Sequence, residues 1–404
     1  MRIIMVNKFL HPQGGAETYT IELGKQLEKK GHEVQYFGMY DSSNVVGNEW
    51  GLYAKPIDFH HIGLDVLSYP FRVIWSQDSY DKMSKLIDNF HPDVIHLNNF
   101  NYQLTPSIID AAHDKRIPVV VTAHDSQFVC PNHLLYDFKR NTICTKCVTT
   151  GDPRHCVETG CIHGSYAKSL LGTLEGERYK KEPTYTYISK IISPSKFMQE
   201  ILEHDSRFIG KIVCLPNYNN KIETPTDVVH KDYILYFGRL SAEKGIWNIV
   251  EAAKALPNET FICAGVGPAD KDMQGIPNLR LVGFKKGKEL HKLIREAKLV
   301  ILPSTCYENS PLAVIEAQQQ GCAVLAPSYG GAGEMTLKQR QIGDTSADSL
   351  IKALKECLKP EILEEMRADS KKRVNNYKTL EEYTKEIEKV YEKVISKKQL
   401  RGLK

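Results

Sequence analysis

The chain has no apolar run that approaches the roughly 20 residues needed to span a bilayer. It also lacks a strong charge bias, since a formal net charge of +4 is too small to indicate a nucleic-acid partner. Hydrophobic residues make up 42% and charged residues 25%, as in ordinary soluble globular proteins, so the composition gives no sign of disorder. Met1 leads directly into a predicted strand rather than a signal peptide, so we expect a cytoplasmic protein.

A length of 404 residues exceeds that of a usual single core and predicts two domains. Both halves alternate short buried strands with helical patterns, which predicts an α/β fold with two doubly wound parallel sheets. A helix is predicted over Ala16–Lys30, ended by Gly31. The predicted strands are Ile3–Val6, Val34–Phe37, Val94–Leu97, Val119–Thr122 and Ile191–Ser193, then Tyr233–Phe237, Thr260–Ala264, Leu279–Val282, Val300–Leu302 and Ala323–Ala326. Ligands of such sheets bind at the carboxyl ends of the strands, so the cleft between the domains should hold the chemistry.

The predicted domains cover residues 1–217 and 218–379, followed by a C-terminal helix at 380–404. The boundary lies in the polar stretch Asn217–Lys231, whose weak apolar periodicity is typical of a linker. The run Leu380–Ile395 is highly charged and has a helical pattern.

The first functional signal is the segment G-R-L-S-A-E-K-G at residues 238–245, directly after a predicted strand. Its cations, Arg239 and Lys244, lie on a turn from strand to helix that begins at Gly238. Long cations on such a turn reach phosphate oxygens that the backbone amides also face. The segment therefore predicts a diphosphate-binding site.

The second signal is a carboxylate pair, Glu308 and Glu316, separated by seven residues. The pattern predicts a strand over Leu299–Leu302, an N-cap at Ser310 and a helix from Pro311 onward. Carboxylates accept hydrogen bonds from the vicinal hydroxyls of ribose or hexose, while the free amides of a helix start attract phosphate. The loop and helix residues expected beside the ligand are Asn309, Ser310, Pro311 and Leu312. Taken alone, Glu308 is equally well a solvated loop acid and Glu316 an exposed helix residue, although the apolar neighbours of Glu316 favour function.

These two motifs resemble those of the retaining glycosyltransferases of family 4, which have the GT-B fold of two Rossmann-like domains around a cleft. The resemblance implies that Arg239 and Lys244 bind the donor diphosphate. It also implies that Glu308 contacts the donor sugar and Glu316 the ribose, and that the C-terminal helix crosses back to the first domain. Further matching segments are Met1–Val6 with the loop at Gly14 and Gly15, Val119–Asp125, Ile192–Ser195 and Leu215–Asn217.

His124 follows a predicted strand at its carboxyl end, where the first domain would face the cleft. An imidazole there can donate a hydrogen bond to the donor sugar or its phosphate, with a charge adjustable near neutral pH. The alternative is a structural histidine that caps the strand, and Asp125 either orients it or caps the next turn. By resemblance the reaction retains anomeric configuration without an assigned enzyme nucleophile, and the catalytic residues are His124, Arg239, Lys244 and Glu308.

Gly14 and Gly15 form a loop in which the missing Cβ atoms would let backbone amides approach the phosphate or the acceptor. Ala16 and Glu17 then open a helix in the same direction. A plain tight turn is the competing interpretation.

Five of the ten cysteines lie between residues 130 and 161, inside a predicted insertion at about 130–163. The spacing of Cys144, Cys147, Cys156 and Cys161 is compatible with a tetrahedral structural zinc site. Free thiols or a disulfide are the alternatives, the latter disfavoured in a reducing cytoplasm. The nearby histidines that could replace one ligand are His133, His155 and His163.

We expect a nucleotide diphosphate sugar donor, with a UDP-sugar favoured by the resemblance, and a glycan or lipid-linked acceptor in cell-surface polysaccharide biosynthesis. No cofactor is expected to be obligatory, because no Asp-x-Asp metal motif stands in a convincing context. Peripheral docking at the inner face of the cell membrane is an alternative suggested by the apolar segment Leu64–Trp75 and by the tail from Lys389, which has six cations against one acid. A packed core segment and a solvated helix end explain the same features.

Two other functions remain open at this stage. A nucleotide-sugar 2-epimerase would share the architecture, but the pairing of the two motifs fits transfer better. A zinc-dependent binding module on an inactive scaffold is the alternative from another class.

Overall fold

The computed structural model describes residues 1–56, 69–219 and 229–402. Much of the segment Leu64–Trp75, considered above for membrane docking, and most of the predicted linker Asn217–Lys231 lie outside these residues.

The first half of the described chain is built around one parallel sheet. Its strands are β1 (Arg2–Val6), β2 (Glu33–Phe37), β3 (Val94–Leu97), β4 (Val119–Thr122), β5 (Tyr136–Asp137), β6 (Thr142–Ile143), β7 (Ile188–Ser193) and β8 (Ile212–Cys214). Six of them pair in the order β2-β1-β3-β4-β7-β8, all parallel, while β5 and β6 form a separate antiparallel hairpin. The helices are α1 (Gly15–Lys29), α2 (Tyr69–Ile74), α3 (Gln77–Phe90), α4 (Ser107–Asp114), α5 (Lys146–Thr150), α6 (His155–Thr159), α7 (Tyr166–Lys181) and α8 (Lys196–Glu203).

The second half repeats the plan with a second parallel sheet. Its strands are β9 (Lys231–Phe237), β10 (Phe261–Ala264), β11 (Leu279–Leu281), β12 (Ala297–Ile301) and β13 (Val324–Leu325), in the order β11-β10-β9-β12-β13. The helices are α9 (Ile246–Ala255), α10 (Gly287–Glu296), α11 (Leu312–Gln319), α12 (Ala347–Cys357), α13 (Pro360–Val374) and α14 (Leu380–Gly402).

Both faces of the first sheet are buried. Along β1, Ile4 and Val6 belong to one hydrophobic cluster and Ile3 and Met5 to another, because successive side chains of a strand point to opposite faces. Two covered faces explain why the strands read as continuous apolar runs rather than alternating ones.

The C-terminal helix α14 packs against the first domain. Tyr383 and Tyr391 are fully buried in the same cluster as Ile3. The hydroxyls of Tyr383 and Tyr19 lie 2.9 Å apart, and that of Tyr391 lies 2.5 Å from His96 Nδ1. Helix α14 therefore crosses back from the second domain to the first.

All ten strands predicted from the sequence are present, with ends within three residues of the prediction. Helix α1 is also present, and Gly31 follows it with a φ of +86°. The short strand β8 and the hairpin of β5 and β6 are not among the predicted strands.

Candidate active site

The segment 238–245 forms a turn at the carboxyl end of β9. Gly245 has a φ of +74°, and a Cβ added there would lie 1.8 Å from the carbonyl oxygen of Pro303. Only glycine fits such a close approach in a left-handed conformation. The turn is thereby held against the chain that follows β12, which brings Lys244 to the carboxylate motif.

Lys244 and Glu308 form an ion pair, with Nζ 2.7 Å from Oε1. Ser304 Oγ donates a hydrogen bond to the same oxygen over 2.6 Å. Burial alone would lower the pKa of Lys244, but the Glu308 carboxylate outweighs it and the pKa is raised. Burial alone would raise the pKa of Glu308, but the Lys244 charge and the hydrogen bonds from Lys244 and Ser304 lower it. Both groups are therefore charged at neutral pH.

Arg239 is exposed at the start of the same turn. Within the described ranges its guanidinium makes no ion pair, so it is available to a ligand. Burial lowers the pKa of His163 below its ordinary value, and the charges of Lys168 and Arg239 add to this effect. The cysteine-rich insertion, which contains His163, thus extends close to this cation.

Asn309 connects the carboxylate motif to the first domain. Its Nδ2 donates to the carbonyl oxygen of Ala123 over 2.7 Å, and Ser195 Oγ donates to its Oδ1 over 2.6 Å. The carbonyl oxygen of His124 lies 3.4 Å from the same Nδ2. The loop that carries Glu308 therefore rests directly on the end of β4.

Helix α11 begins at Leu312, with Pro311 in an extended conformation as its N-cap. The predicted N-cap at Ser310 is wrong, because the extended Pro311 starts the helix one residue later. Ser310 Oγ instead lies 4.0 Å from Met335 Sδ, and its carbonyl oxygen accepts from Asn217 Nδ2 over 3.0 Å.

The glycine loop of the first domain lies at the start of α11. A Cβ added to Gly15 would lie 3.4 Å from Leu312 Cδ1, an ordinary van der Waals distance, so the loop lies next to this helix with room for one methyl group. Gly14 is the extended N-cap of α1. Neither glycine has a positive φ, so the loop does not need glycine for its backbone conformation.

Glu316 is half-buried in the second turn of α11. Burial, with the Glu22 carboxylate of α1 as a second cause, raises its pKa to about 7. Glu22 is itself bound by the Tyr218 hydroxyl over 2.7 Å. Two acids from different domains thus face the same part of the cleft, and a ligand that donates hydrogen bonds would relieve their repulsion.

His124 lies at the end of β4, with its Nε2 2.9 Å from Asn98 Oδ1. Asn98 Nδ2 donates to the carbonyl oxygen of Val6, so Oδ1 is the acceptor and the His124 proton is assigned to Nε2. Burial lowers the pKa of His124 to about 3, so its charge does not change near neutral pH, contrary to the sequence expectation. Asp125 Oδ1 accepts from the backbone amide of Gln127 over 2.9 Å, which makes Asp125 a turn cap.

Two further glycines of the site, Gly265 and Gly331, are not among the predicted site residues. A Cβ on Gly265 would lie 1.8 Å from the carbonyl oxygen of Gly238, and one on Gly331 would lie 1.5 Å from that of Asn309. The sequence patterns that could identify these glycines are A-G-V-G-P at the end of a predicted strand and the pair Gly330-Gly331. Beside this turn, Val266 and Phe284 are 54% and 68% exposed after the neighbouring strands β10 and β11, and they provide an apolar surface at the strand ends.

The predicted zinc ligands lie in one insertion but do not form a metal site. Across the described ranges, no group of three or more His, Cys, Asp or Glu side chains is arranged to hold a metal ion. The sulfurs of Cys156 and Cys161 are 3.2 Å apart, closer than the roughly 3.8 Å that Zn–S bonds of 2.3 Å in a tetrahedron require. Cys147 Sγ lies 3.9 Å from the carbonyl oxygen of Pro153, and Cys144 is half-buried as a free thiol. The predicted ligand set is therefore not supported.

None of the helices in the described part of the chain combines the length and the apolar composition that crossing a bilayer requires.

The family comparisons cover nearly the whole chain. Residues 13–218 match the profile of Glycosyltransferase Family 4, and residues 220–377 match that of Glycosyl transferases group 1. A relative in Methanocaldococcus jannaschii, the uncharacterized glycosyltransferase MJ1607, is 23% identical over 352 residues, which cover 83% of this chain and 82% of that protein. The putative teichuronic acid biosynthesis glycosyltransferase TuaC of Bacillus subtilis is 28% identical over 171 residues, 40% of this chain and 42% of its own.

Solved structures show the same two-domain architecture. Sucrose-phosphate synthase from Thermosynechococcus elongatus superposes with a TM-score of 0.70 at 14% identity, covering 98% of this chain and 99% of its own. HepE of Anabaena, in a complex with UDP and glucose, superposes with a TM-score of 0.66 at 16% identity, covering 97% of this chain and 100% of its own. The predicted GT-B fold, two Rossmann-like domains around a cleft, is confirmed.

Proposed function

The chain belongs to glycosyltransferase family 4 and is a glycosyltransferase, and from that premise we propose that it transfers a sugar from a nucleotide diphosphate sugar to a glycan or lipid-linked acceptor. The proposed donor is a UDP-sugar, the proposed outcome is retention of the anomeric configuration, and the proposed context is cell-surface polysaccharide biosynthesis.

The observation that carries this proposal is the Lys244–Glu308 ion pair on a loop hydrogen-bonded across the cleft. A paired, half-buried cation at the carboxyl end of a parallel sheet is a preorganised site for a diphosphate. Arg239, exposed and without an ion-pair partner among the described residues, supplies a second cation. Charge that develops on the leaving diphosphate would be stabilised by groups already in position.

In this proposal Glu308 and Glu316 bind hydroxyl groups on different parts of the donor. Glu308, kept ionised by Lys244, accepts hydrogen bonds from the donor sugar in this proposal. Glu316, in the second turn of α11, accepts from the ribose. The apolar Val266 and Phe284 side chains stand where an aromatic base could pack against the strand ends.

In the proposed reaction, the bond between the anomeric carbon and the diphosphate oxygen breaks. A bond from the acceptor hydroxyl oxygen forms on the same face of the sugar, and the hydroxyl proton passes to the leaving diphosphate. No residue serves as a nucleophile. His124 is neutral with its proton on Nε2, so its Nδ1 is an acceptor that can orient a sugar hydroxyl.

The comparisons support the substrate classes without establishing them. A HepE structure of Anabaena contains UDP-glucose. The relatives TuaC of Bacillus subtilis and AmsK of Erwinia amylovora are named for teichuronic acid and amylovoran biosynthesis. These names favour a UDP-sugar donor and a polysaccharide product for this chain.

A binding screen tests the donor. UDP, GDP and their sugars would be titrated against the protein by calorimetry and by thermal shift, because a ligand of the native state raises its apparent stability. We expect UDP-sugars to bind and the Glu316→Ala variant to bind them at least tenfold more weakly. The control is Glu243→Ala, which removes an acid from the turn that carries Lys244 but lies outside the proposed contacts. Equal affinity of wild type and Glu316→Ala would contradict the assignment.

Product analysis separates transfer from epimerisation. Incubation with donor alone should leave the configuration of the donor sugar unchanged, whereas a 2-epimerase would invert it without an acceptor. With an accepting glycan, proton NMR should show a product linkage of the same anomeric configuration as the donor, and an inverted linkage would refute retention.

A further inference from the structure

A cavity lies in the first domain beneath the cysteine-rich insertion. Its volume is about 420 Å³, within the usual range of small-molecule sites. Five segments form its walls: 127–131 after β4, 147–153 of the insertion, one face of α7, Tyr185 after it and 204–207 after α8. No part of the proposed donor site lines it.

The buried face of α7 is unusual because small and polar residues replace a normal apolar stripe. A Cβ on Gly172 would lie 2.6 Å from Ile162 Cδ1, and one on Gly176 would lie 2.9 Å from Pro153 Cβ. The helix therefore packs close to the insertion. Thr173 Oγ1 donates to the Pro153 carbonyl over 3.2 Å, and Ser169 Oγ accepts from the Ile162 amide over 2.9 Å.

Two polar side chains of this cavity, in contrast, have atoms without hydrogen-bond partners. Glu175 is 4% exposed and Gln127 is 6% exposed, and both line the cavity. Within the described residues, Glu175 Oε1 and Gln127 Nε2 have no hydrogen-bond partner. Buried polar atoms are nearly always satisfied, so a carboxyl oxygen and an amide donor left open in one cavity point to a missing partner.

The charges around the cavity limit the chemistry of that partner. Lys180 and Arg207 line it and oppose a cation, while Asp205, which is paired with Arg207 over 2.6 Å, opposes an anion. Burial raises the pKa of Glu175 to about 8, so near neutral pH it is mostly a neutral acid that can both donate and accept. The aromatic side chains of Phe128, Tyr179 and Tyr185 add an apolar wall. A neutral ligand with several hydroxyl groups satisfies these conditions.

We propose that this cavity binds a neutral sugar residue, held by Glu175 and Gln127 as a carbohydrate site separate from the donor site. Only the choice of a sugar as the ligand rests on the proposed function. A glycan acceptor consists of sugar residues, and we expect it to bind on the side of the first domain. Gln127 Nε2 donates to a ring or hydroxyl oxygen, and the Glu175 carboxyl group exchanges hydrogen bonds with neighbouring hydroxyls.

Saturation-transfer NMR without any donor tests the site, with methyl α-glucoside, methyl β-galactoside and N-acetylglucosamine as probes. At least one probe should give signals that fall tenfold or more in Glu175→Leu and in Gln127→Leu. The signals should persist in Glu177→Gln, a control on the same helix, and in the donor-site variant Lys244→Ala. Loss in Lys244→Ala with retention in Glu175→Leu would place the sugar in the donor site and overturn the proposal, as would the absence of signals from all probes.

Stability without sugar gives a second readout. An unpaired buried carboxyl group is unfavourable, so Glu175→Leu should leave the midpoint of thermal unfolding unchanged or raise it. A clear fall of the midpoint would show a structural role and contradict the proposal. UDP binding, measured separately, tests the proposed function, so the two can fail independently.

Discussion

Ser195 of the first domain donates a hydrogen bond to Asn309 of the second over 2.6 Å. The same Asn309 side chain donates to the carbonyl oxygen of Ala123 at the end of β4. One amide thus satisfies partners on two elements of the opposite domain, immediately next to the carboxylate paired with Lys244. The position of the proposed donor site is therefore tied to the closure of the cleft.

Replacing Asn309 with Ala should widen the cleft between the two domains. The loss of two interdomain hydrogen bonds is expected to lower the free energy of unfolding by about 1–3 kcal/mol and to increase the radius of gyration in small-angle X-ray scattering. Asn248→Ala is the control, because Asn248 Nδ2 makes one comparable bond, to the Thr345 carbonyl, inside the second domain. An unchanged radius in Asn309→Ala would show that the contact does not hold the domains together.

Lys244→Ala should leave the Glu308 carboxylate buried without its cation. Breaking one partner of such a pair is expected to lower the free energy of unfolding by about 3 kcal/mol, to raise the pKa of Glu308 and to weaken UDP binding tenfold or more. Lys285→Ala removes a surface cation 3.6 Å from Glu289 and should change stability by less than about 1 kcal/mol. Similar urea denaturation curves for both variants would argue against a special role of the pair.

The raised pKa of Glu316 predicts that the stability of the protein depends on pH. Its pKa is raised from 4.5 to about 7 in the native protein, so the native state binds more protons than the unfolded state between these values. The contribution of Glu316 to the free energy of unfolding is therefore fully present below pH 4.5 and is lost as the pH rises through about 7. Glu316→Gln should therefore unfold with less pH dependence across this window and be more stable than wild type at pH 8. Urea denaturation at a series of pH values measures this, and parallel profiles for both proteins would refute it.

Gly245→Ala tests the turn that places Lys244. The new methyl carbon would lie 1.8 Å from the Pro303 carbonyl oxygen in a left-handed backbone, so the turn must shift. We expect a loss of at least about 3 kcal/mol in stability together with weakened UDP binding. Gly275→Ala is the matched control, because its φ of +82° is similar but no atom lies within 4 Å, and it should lose only about 1–2 kcal/mol. Equal losses would show that backbone strain, not the Pro303 contact, dominates.

The sequence predicts the two motifs of the proposed donor site because their signals are local. The spacing of Arg239 and Lys244 after β9, and of Glu308 and Glu316 around the start of α11, follows from strand and helix periodicity. Contacts between distant segments were not accessible in this way. The missed role of Asn309 depends on Ser195 and Ala123, more than 100 residues away along the chain.

The histidine and cysteine interpretations differ from the structure for the same reason. His124 was expected to titrate near neutral pH, yet its burial beside Tyr19 holds it neutral. The cysteine spacing suits zinc, but spacing along the chain does not set the distances between sulfurs. Those distances follow from how α6 and the turn after it pack.

By itself the sequence determined the two parallel sheets, the glycine-flanked turn with its two cations and the paired acids, because apolar periodicity and short motifs act over neighbouring residues. Only the tertiary structure decided which charges meet, which groups are buried and neutral, and which polar atoms of Glu175 and Gln127 stay without a partner. Burial and electrostatic pairing depend on segments far apart in the chain, and no local pattern specifies them.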